Sequence, residues 1–406
     1  MQTAGRTVYI AGAGIAGLSL ALALAKFGAN VVVLERNSAV QEIGAGVQIS
    51  PNARRILNQM GLDKAITQKS LEPQGIDVYP YRNRRPLTTL SLGIAARQRF
   101  GAPYAVMHRA DLAEALYRAC RRFANIDVQF DIRAFDAVSH ARGISVTVDL
   151  ATGQSRSARA FAFVGADGVN SQTRTGVVGG PMAKYSGYVA WRATVPSAAL
   201  KDVVALDRIS LMMAPGYHAV LYPLPQREAI NVVLFSREEE EDVFADVPPK
   251  TPDIPWAAIR SRRWDAVMDA AREAWTPWPM STVETPVWSD GSIGLVGDAA
   301  HAMLPFQAQG AAMAIEDAAI LAPLLMTDAT AETAFARFER IRRPRVDRVA
   351  RASRTNGFAF HLEWPLTVAR DAAILLMGRA GQLKRLGWIY GYDAAPEVES
   401  AAPVRA

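Results

Sequence analysis

The chain has 406 residues, is half hydrophobic and carries a formal net charge of +6. This length exceeds what one simple core fills, so we predict two packed lobes. Ordinary charged content and the lack of a repeat period exclude a disordered or repeat protein, and no basic-aromatic motif points to nucleic acid. The positive charge favours anionic ligands such as dinucleotides or carboxylates, or reflects ordinary surface variation.

The N-terminal segment from Val8 to Ala25 is a long apolar run that resembles a signal peptide or a membrane span. Glycines interrupt it where a strand would turn into a helix, and a second strand follows from Asn30 to Glu35. We therefore predict no membrane association and a cytoplasmic location. The single cysteine, Cys120, cannot form a disulfide within the chain and is compatible with that compartment.

A strand at Thr7 to Ala11 and an apolar helix at Ala16 to Phe27 flank a glycine-rich turn. Gly12 allows a tight turn, Gly14 allows a pyrophosphate to approach the backbone, and Gly17 allows the helix to pack closely on the strand. The helix N-terminus offers unpaired N–H groups to the phosphates. The motif predicts a dinucleotide site, against the alternative of a packing turn without a ligand.

Glu35 ends the second strand and can accept hydrogen bonds from ribose hydroxyls. Arg36 follows it and is also expected near the cofactor. These features do not separate FAD from NAD, because both ligands contain adenosine diphosphate.

Two later segments each read as a buried strand that ends in a turn with an aspartate, at Asp167-Gly168 and at Gly297-Asp298. Asp298 at a strand end can bind a polyol chain, and the helix that begins near Gly310 can direct N–H groups at an electron-rich ring. Either motif alone could be a simple turn. Their combination and order favour a flavin site.

In this order the motifs resemble those of the group A flavoprotein aromatic hydroxylases, the family of para-hydroxybenzoate hydroxylase, from Val8 to about Asp393. The resemblance implies that FAD is bound by Gly12, Gly14, Ala16, Gly17, Glu35, Arg36, Arg109, Asp167, Gly168, Gly297, Asp298, Gly310 and Ala311. Within this set Arg109 is expected near the diphosphate and Asp298 at the ribityl chain. Asp167 and Gly168 are associated with both FAD and the reduced nicotinamide, and Pro305 matches the proline beside the flavin ring.

Three further stretches, Gly44–Ala53, Tyr185–Arg192 and Trp388–Asp393, are similar to salicylate hydroxylases and 6-hydroxynicotinate 3-monooxygenases. The resemblance implies that NADH or NADPH reduces FAD, and that dioxygen then forms a flavin C4a-hydroperoxide that hydroxylates a small hydroxylated aromatic or heteroaromatic acid. The resemblance leaves four points open. These are the choice between NADH and NADPH, the ring position attacked, whether decarboxylation accompanies hydroxylation, and whether the protein is a monomer or a homodimer.

The predicted fold class is α/β, with a Rossmann-like FAD lobe, an antiparallel β-sheet substrate lobe and a C-terminal helical region. We place the first part of the FAD lobe at residues 1–175, the substrate lobe at 176–285, the return segment of the FAD lobe at 286–330 and the helical region at 331–406. The substrate sheet is predicted from four β-rich segments: Lys184–Thr194, Ile209–Met213, His218–Tyr222 and Ile230–Phe235.

The resemblance implies a base on the strand that carries His218. His218 is the candidate, because an imidazole titrates near neutrality and a phenolate ring is more electron-rich than a phenol. A packed strand histidine is the alternative. Tyr222 lies four residues on, on the same strand face, and could orient the phenol. Arg192 could bind a substrate carboxylate or form a structural ion pair. His301 is expected to be structural, His361 has no assigned role, and no histidine spacing predicts a metal site.

A long helix is predicted from Ala331 to Arg354, with Pro344 bending or breaking it. Its eight arginines are expected to form a solvated basic face or to attract the reduced nicotinamide. The alternatives for function are a hydroxylase of a larger phenol or quinolone, a flavin reductase or dehydrogenase without productive oxygen transfer, and a flavin-binding protein without activity.

Overall fold

A computed structural model describes residues 5–40, 46–81, 83, 85–140, 143–246, 249–254 and 261–395. The strands are β1 (Thr7–Ala11), β2 (Asn30–Leu34), β3 (Gly46–Ile49), β4 (Gly75–Pro80), β5 (Thr88–Ser91), β6 (Ala105–His108), β7 (Ile126–Gln129), β8 (Ile132–His140), β9 (Gly143–Leu150), β10 (Ser155–Ala160), β11 (Ala162–Gly165), β12 (Lys184–Pro196), β13 (Ile209–Ala214), β14 (Tyr217–Leu224), β15 (Ala229–Arg237), β16 (Thr276–Thr282), β17 (Ser289–Asp290) and β18 (Ile293–Leu295).

The helices are α1 (Ile15–Lys26), α2 (Pro51–Gln59), α3 (Asp63–Lys69), α4 (Gly93–Phe100), α5 (Arg109–Cys120), α6 (Ser197–Leu200), α7 (Glu240–Val243), α8 (Arg262–Ala271), α9 (Asp298–His301), α10 (Gly310–Thr327), α11 (Ala331–Phe360), α12 (Leu366–Arg385) and α13 (Gly387–Tyr390). A π-helical turn at Thr173–Val177 and a 3-10 turn at Pro225–Arg227 complete the described elements. The α/β class is confirmed.

The first lobe is built on a six-stranded sheet in the order β17-β18-β11-β1-β2-β7, in which all neighbours except β17 and β18 run parallel. Its central strands β1, β2 and β11 are mostly apolar, because α1 packs on one face of the sheet and β8 and β9 pack on the other. The helices α1 and α10 pack against each other in its core. The apolar N-terminal run is therefore a core strand and helix, as the glycine spacing predicts.

The second lobe is a seven-stranded sheet in the order β16-β12-β15-β14-β13-β4-β5. The predicted strands appear in it as β12 to β15. Two others, β4 and β5, come from within residues 1–175, and β4 pairs with β13 in parallel. Strand alternation gives this sheet two faces. One packs on α8 and its neighbours, and the other faces the Leu304–Phe306 segment of the first lobe.

The C-terminal region is helical through the described residues. The helix α11 runs unbroken from Ala331 to Phe360 with Pro344 inside it, so of the bend or break predicted at this proline the break does not occur. Among the described residues one helix, α10, is long and apolar enough to cross a membrane, but 72% of it is buried in the protein, as in a core helix.

Candidate active site

Two positions of the turn after β1, Gly12 and Gly17, can be occupied only by glycine. Gly12 has a φ of 102°, and a Cβ there would lie 2.6 Å from the carbonyl oxygen of Ala166. A Cβ on Gly17 would overlap the carbonyl oxygen of Gly12. Gly14 caps α1 without a side-chain hydrogen bond, and the first turn of α1 carries no acidic residue. This geometry fits a pyrophosphate bound at the N-terminus of α1.

Glu35 is buried directly after β2 and bonds to the same turn. Its Oε2 accepts a hydrogen bond from the Ala13 amide at 2.9 Å, and its Oε1 accepts two from Asn37 at 3.0 and 2.8 Å. A carboxylate has about four lone-pair sites, so Glu35 can shape the turn and still accept a bond from a ribose hydroxyl. Arg36 is exposed beside it.

Asp167 is engaged within its own turn. Its Oδ1 accepts a hydrogen bond from Ser171 Oγ at 2.5 Å, and its Oδ2 accepts bonds from the amide and hydroxyl of Thr173 at 2.9 and 3.0 Å. Gly168 follows with a φ of 79°. The buried Arg174 then donates a hydrogen bond of 2.9 Å to the carbonyl of Ala299 in α9. This segment therefore braces the Gly297–Asp298 turn, in addition to any cofactor contact.

The Gly297–Asp298 turn lies between α1 and α10. Gly297 has a φ of 60°, and a Cβ there would lie 3.0 Å from the Cβ of Ala16 and 3.3 Å from that of Ala314. Asp298 starts α9 and is exposed at the carboxyl end of β18. Its position fits the predicted contact with a polyol chain.

A buried network of ion pairs and hydrogen bonds holds this turn in place. Asp317 Oδ2 accepts hydrogen bonds from the Gly297 amide at 2.9 Å and from His301 Nε2 at 2.7 Å. Arg342, fully buried, pairs with Asp317 at 2.8 Å and with Glu316 at 2.7 Å. Burial alone would raise the pKa of Asp317, but His301 and Arg342 lower it to about 2.

The same network corrects the sequence prediction for the arginines of α11. Arg342 and Arg345 both pair with Glu316, and neither lies on a solvated face. Asn52 donates to Glu316 at 2.7 Å, so the network also holds the start of α2. Asp317 also fixes the ring of His301, a contact that is compatible with the structural role predicted for this histidine.

The N-terminus of α10 lies beside the start of α2. Gln309 caps this helix, and its Nε2 donates a hydrogen bond to Ser50 Oγ at 3.0 Å. Gly310 and Ala311 form the first turn, which contains no acidic residue. Pro305 lies in the loop just before the helix. Unpaired amides at such a terminus fit the electron-rich edge of a flavin ring.

The three predicted substrate residues share one face of the seven-stranded sheet. His218 lies opposite Phe235, and Tyr222 lies opposite Asn231. Arg192 lies opposite Val233, which is the residue of β15 midway between Asn231 and Phe235. Strand alternation places all three side chains on the side that contacts Phe306.

The side chain of Tyr222 contacts the first lobe. Its hydroxyl group lies so close to Gly46 that a Cβ at this glycine would overlap it. Burial raises the pKa of the Tyr222 phenol, and the charges of Arg192 and Arg109 partly oppose that rise. Arg109, which the resemblance places near the diphosphate, therefore also lies within electrostatic reach of the sheet face. The Arg192 guanidinium stacks 4.8 Å from the ring of Trp278.

His218 is buried in an aromatic cluster. Its ring stacks on Phe235 at 4.7 Å and lies 5.1 Å from Phe306. Its Nδ1 is 2.7 Å from Nε2 of His361, a residue that received no role from the sequence. Burial and, to a lesser degree, His361 lower the pKa of His218 well below its usual value. His218 is therefore neutral, which is the state that a base requires.

The other candidate groups are inert. Burial raises the pKa of the free Cys120 thiol to about 12, and His108 caps α5 by accepting a hydrogen bond from the Ala110 amide. Within the described ranges, no group of three or more histidine, cysteine or acidic residues could hold a metal ion. Gly44 and Ala45, part of one stretch that carries the resemblance, lie outside the described residues.

A glycine-rich turn suited to a dinucleotide, together with a buried sheet face that carries an aromatic cluster, is typical of a flavoenzyme. The chain belongs to the FAD-binding family described as FAD binding domain, whose sequence profile matches residues 6–353. FAD is its cofactor, and the protein is a flavin-dependent aromatic monooxygenase.

Similar proteins cover almost the whole chain. A 3-amino-4-hydroxybenzoate 2-monooxygenase of Streptomyces platensis is 34% identical over 399 residues, which cover 96% of each protein. A 3-hydroxybenzoate 6-hydroxylase of Aquipseudomonas alcaligenes is 30% identical over 95% of this chain and 98% of its own. A 6-hydroxynicotinate 3-monooxygenase of Bordetella bronchiseptica is 30% identical over 77% of this chain and 81% of its own.

Solved structures share the fold. A salicylate hydroxylase in complex with its substrate matches with a TM-score of 0.79 and 23% identity, and the match covers all of both chains. The HpxO protein of Klebsiella pneumoniae complexed with FAD matches with a TM-score of 0.77 and 21% identity, over 98% of this chain and 99% of its own.

Proposed function

We propose that this enzyme uses NADH or NADPH and dioxygen to hydroxylate a small hydroxylated aromatic or heteroaromatic acid, of the salicylate, hydroxybenzoate or hydroxynicotinate type. One oxygen atom of dioxygen enters a ring C–H bond, the other leaves as water, and the nicotinamide supplies two electrons. The relatives that act on hydroxybenzoates and hydroxynicotinate support this substrate class. The observation that carries the proposal is that the buried His218 lies on the same sheet face as Tyr222 and Arg192.

FAD, when bound, supplies the transfer of electrons from the nicotinamide and the activation of dioxygen. The protein supplies binding, orientation and the proton acceptor. Gly12, Gly14 and Gly17 would hold the diphosphate, Glu35 the ribose and Asp298 the ribityl chain. Asp317 holds the turn that carries Asp298 through the Gly297 amide, so this carboxylate would position the residue that binds the ribityl chain.

His218 takes the proton of the substrate hydroxyl at Nε2, and its Nδ1 proton is then donated to His361. A base with a lowered pKa is weak, so other groups must favour the phenolate. The charges of Arg192 and Arg109 do so, since they already lower the pKa of the nearby Tyr222 phenol against the effect of burial. Tyr222 orients the ring, and the guanidinium of Arg192 binds its carboxylate.

We further propose that the lobes divide near residues 175, 285 and 330 as the sequence predicts, with β4 and β5 added to the substrate sheet. Dioxygen as co-substrate, a cytoplasmic location and a monomeric or homodimeric state complete the proposal. Size-exclusion chromatography with light scattering measures the last of these directly.

The test measures NADH and NADPH oxidation by FAD-loaded protein in air, with and without a panel of hydroxybenzoates and hydroxynicotinates. Strong stimulation by one compound, together with a hydroxylated product, is the expected result. Stimulation without product would mean that the compound only uncouples the flavin. No stimulation by any member would contradict the proposed substrate class and favour a larger phenol, a quinolone or a reductase.

A further inference from the structure

Asn231 is a fully buried residue of β15 whose side chain has no hydrogen bond. Its exposed fraction is 0%, and within the described part of the chain neither the amide nitrogen nor the amide oxygen has a partner. Buried polar groups in proteins are almost always paired. An amide that is left unpaired on both atoms destabilises the fold, which points to a ligand that completes it.

Asn231 lies on the sheet face that carries the candidate substrate residues. It lies directly opposite Tyr222 on β14 and opposite Thr194 on β12. Alternation along β15 puts it on the same face as Val233 and Phe235, the partners of Arg192 and His218. Directly opposite side chains lie about 5 Å apart at Cβ. Asn231 is therefore a neighbour of Tyr222 on the face that receives the ring.

The chemistry of a primary amide limits what can satisfy it. The amide presents an N–H donor and a C=O acceptor side by side. A ligand that pairs with both must carry an acceptor next to a donor. An amino group next to a phenol oxygen meets this requirement, and so does the ring N–H next to the carbonyl of a pyridone. A ring with a single isolated hydroxyl group leaves one amide atom unpaired.

We propose that Asn231 is a specificity-determining residue that binds a neighbouring donor and acceptor on the substrate ring, as in an ortho-aminophenol or a pyridone acid. This inference rests on the proposed function and narrows its substrate class. A site built to bond such a pair disfavours an analogue that lacks one partner, because the lost bond leaves a buried polar atom unsatisfied. Simple hydroxybenzoates should accordingly bind more weakly.

The experiment titrates FAD-loaded protein with 3-amino-4-hydroxybenzoate, 6-hydroxynicotinate and 4-hydroxybenzoate, and follows the flavin absorbance to obtain each Kd. We expect at least one of the first two to bind about 10-fold or more tightly than 4-hydroxybenzoate. In Asn231→Leu this ratio should fall to about one, while the affinity for 4-hydroxybenzoate is retained. Asn231→Val provides a second apolar variant that suits a strand, in case the leucine side chain disturbs FAD loading.

Ser210→Ala is the matched control. Ser210 lies on β13 opposite Leu221, on the other face of the same sheet, and its hydroxyl is also buried without a partner in the described part of the chain. This variant should keep the wild-type ratio. A ratio near one in the wild-type protein, or a ratio that survives in both Asn231 variants, would overturn the inference. If no aromatic acid in the panel changes the flavin spectrum or stimulates nicotinamide oxidation, the proposed function itself fails.

Discussion

Nδ1 of His218 lies 2.7 Å from Nε2 of His361, inside an aromatic cluster that includes Phe235 and Phe306. Only one proton can occupy this bond. If Nδ1 of His218 carries it, Nε2 of His218 is left as the acceptor. The tautomer of the candidate base is therefore coupled to that of His361, and the pair is formed by residues 143 positions apart.

Replacing His218 should slow hydroxylation without removing FAD. Loss of a general base typically costs 10²–10⁴-fold in rate, so we expect a fall of about that size in kcat for His218→Ala. Single-turnover product formation and the FAD-to-protein absorbance ratio measure the two quantities. An unchanged rate between pH 6 and pH 9 would remove His218 as the base.

Replacing His361 should move the acidic limb of the pH profile. The charge of His361 contributes to the lowered pKa of His218, and burial contributes more. In His361→Phe the pKa of His218 should therefore rise towards its usual value, and kcat/KM should begin to fall at a higher pH than in the wild type. His140→Phe, which changes an exposed histidine, should leave the profile in place. An acidic limb at the same pH in both variants would exclude coupling between the two imidazoles.

His361 should also make folding stability depend on pH. Burial, followed by the charge of Arg237, lowers its pKa from 6.5 to about 4. The unfolded chain therefore binds the proton first, so stability is present above pH 6.5 and falls as the pH drops towards 4, by up to about 3 kcal/mol. Urea unfolding at pH 7 and pH 5 measures the loss. His361→Phe should reduce it, and an equal loss in the variant would argue against this assignment.

Breaking the Arg342 network should loosen FAD as well as the fold. Arg342→Met leaves Glu316 and Asp317 buried without their main counter-charge, which typically costs 3–5 kcal/mol. Asp317 would then hold the Gly297 amide less firmly. Arg351→Met, an exposed change on the same helix, should shift stability by less than about 0.5 kcal/mol. Denaturant unfolding and FAD dissociation should change together, and a stable variant with tightly bound FAD would contradict the network's role.

Replacing Asp298 should release FAD while the fold is kept. Its carboxylate is exposed at the start of α9, where the ribityl chain is expected, so Asp298→Ala should lower FAD occupancy with little change in the unfolding of the FAD-free protein. Asp290→Ala, an exposed change on the adjacent β17, should retain FAD. A fully loaded Asp298→Ala protein would rule out the ribityl contact.

Patterns of residues close in sequence predicted the glycine turn after β1 and the strands of the substrate sheet. The turn at Gly12 and Gly17 requires glycine for steric reasons that can be read from spacing. The alternating β-formers of β12 to β15 placed His218 and Tyr222 on one strand face, where the structure has them. In each case the structure depends on contacts between residues a few positions apart, or on the alternation of side chains between the two faces of a strand.

Long-range contacts were not predictable in this way. Nothing near His361 indicates that it meets His218, and Asn231 lies in a run of apolar strand residues that gives no sign of an unpaired amide. Arg342 lies within an arginine-rich helix typical of a solvated face, yet it pairs with Glu316 and Asp317. Those ion pairs, with Arg345, anchor the helix on both sides of Pro344, which explains why the helix continues through the proline.

The proposed reaction transfers an oxygen atom from dioxygen to the ring of a small aromatic acid. The most direct measurement supplies isotopically labelled dioxygen to FAD-loaded enzyme, with NADH or NADPH and the most stimulating aromatic acid, and determines the mass of the product. We expect a ring hydroxyl group that carries the label. Nicotinamide oxidation that yields hydrogen peroxide alone, or a product whose new oxygen comes from water, would contradict it.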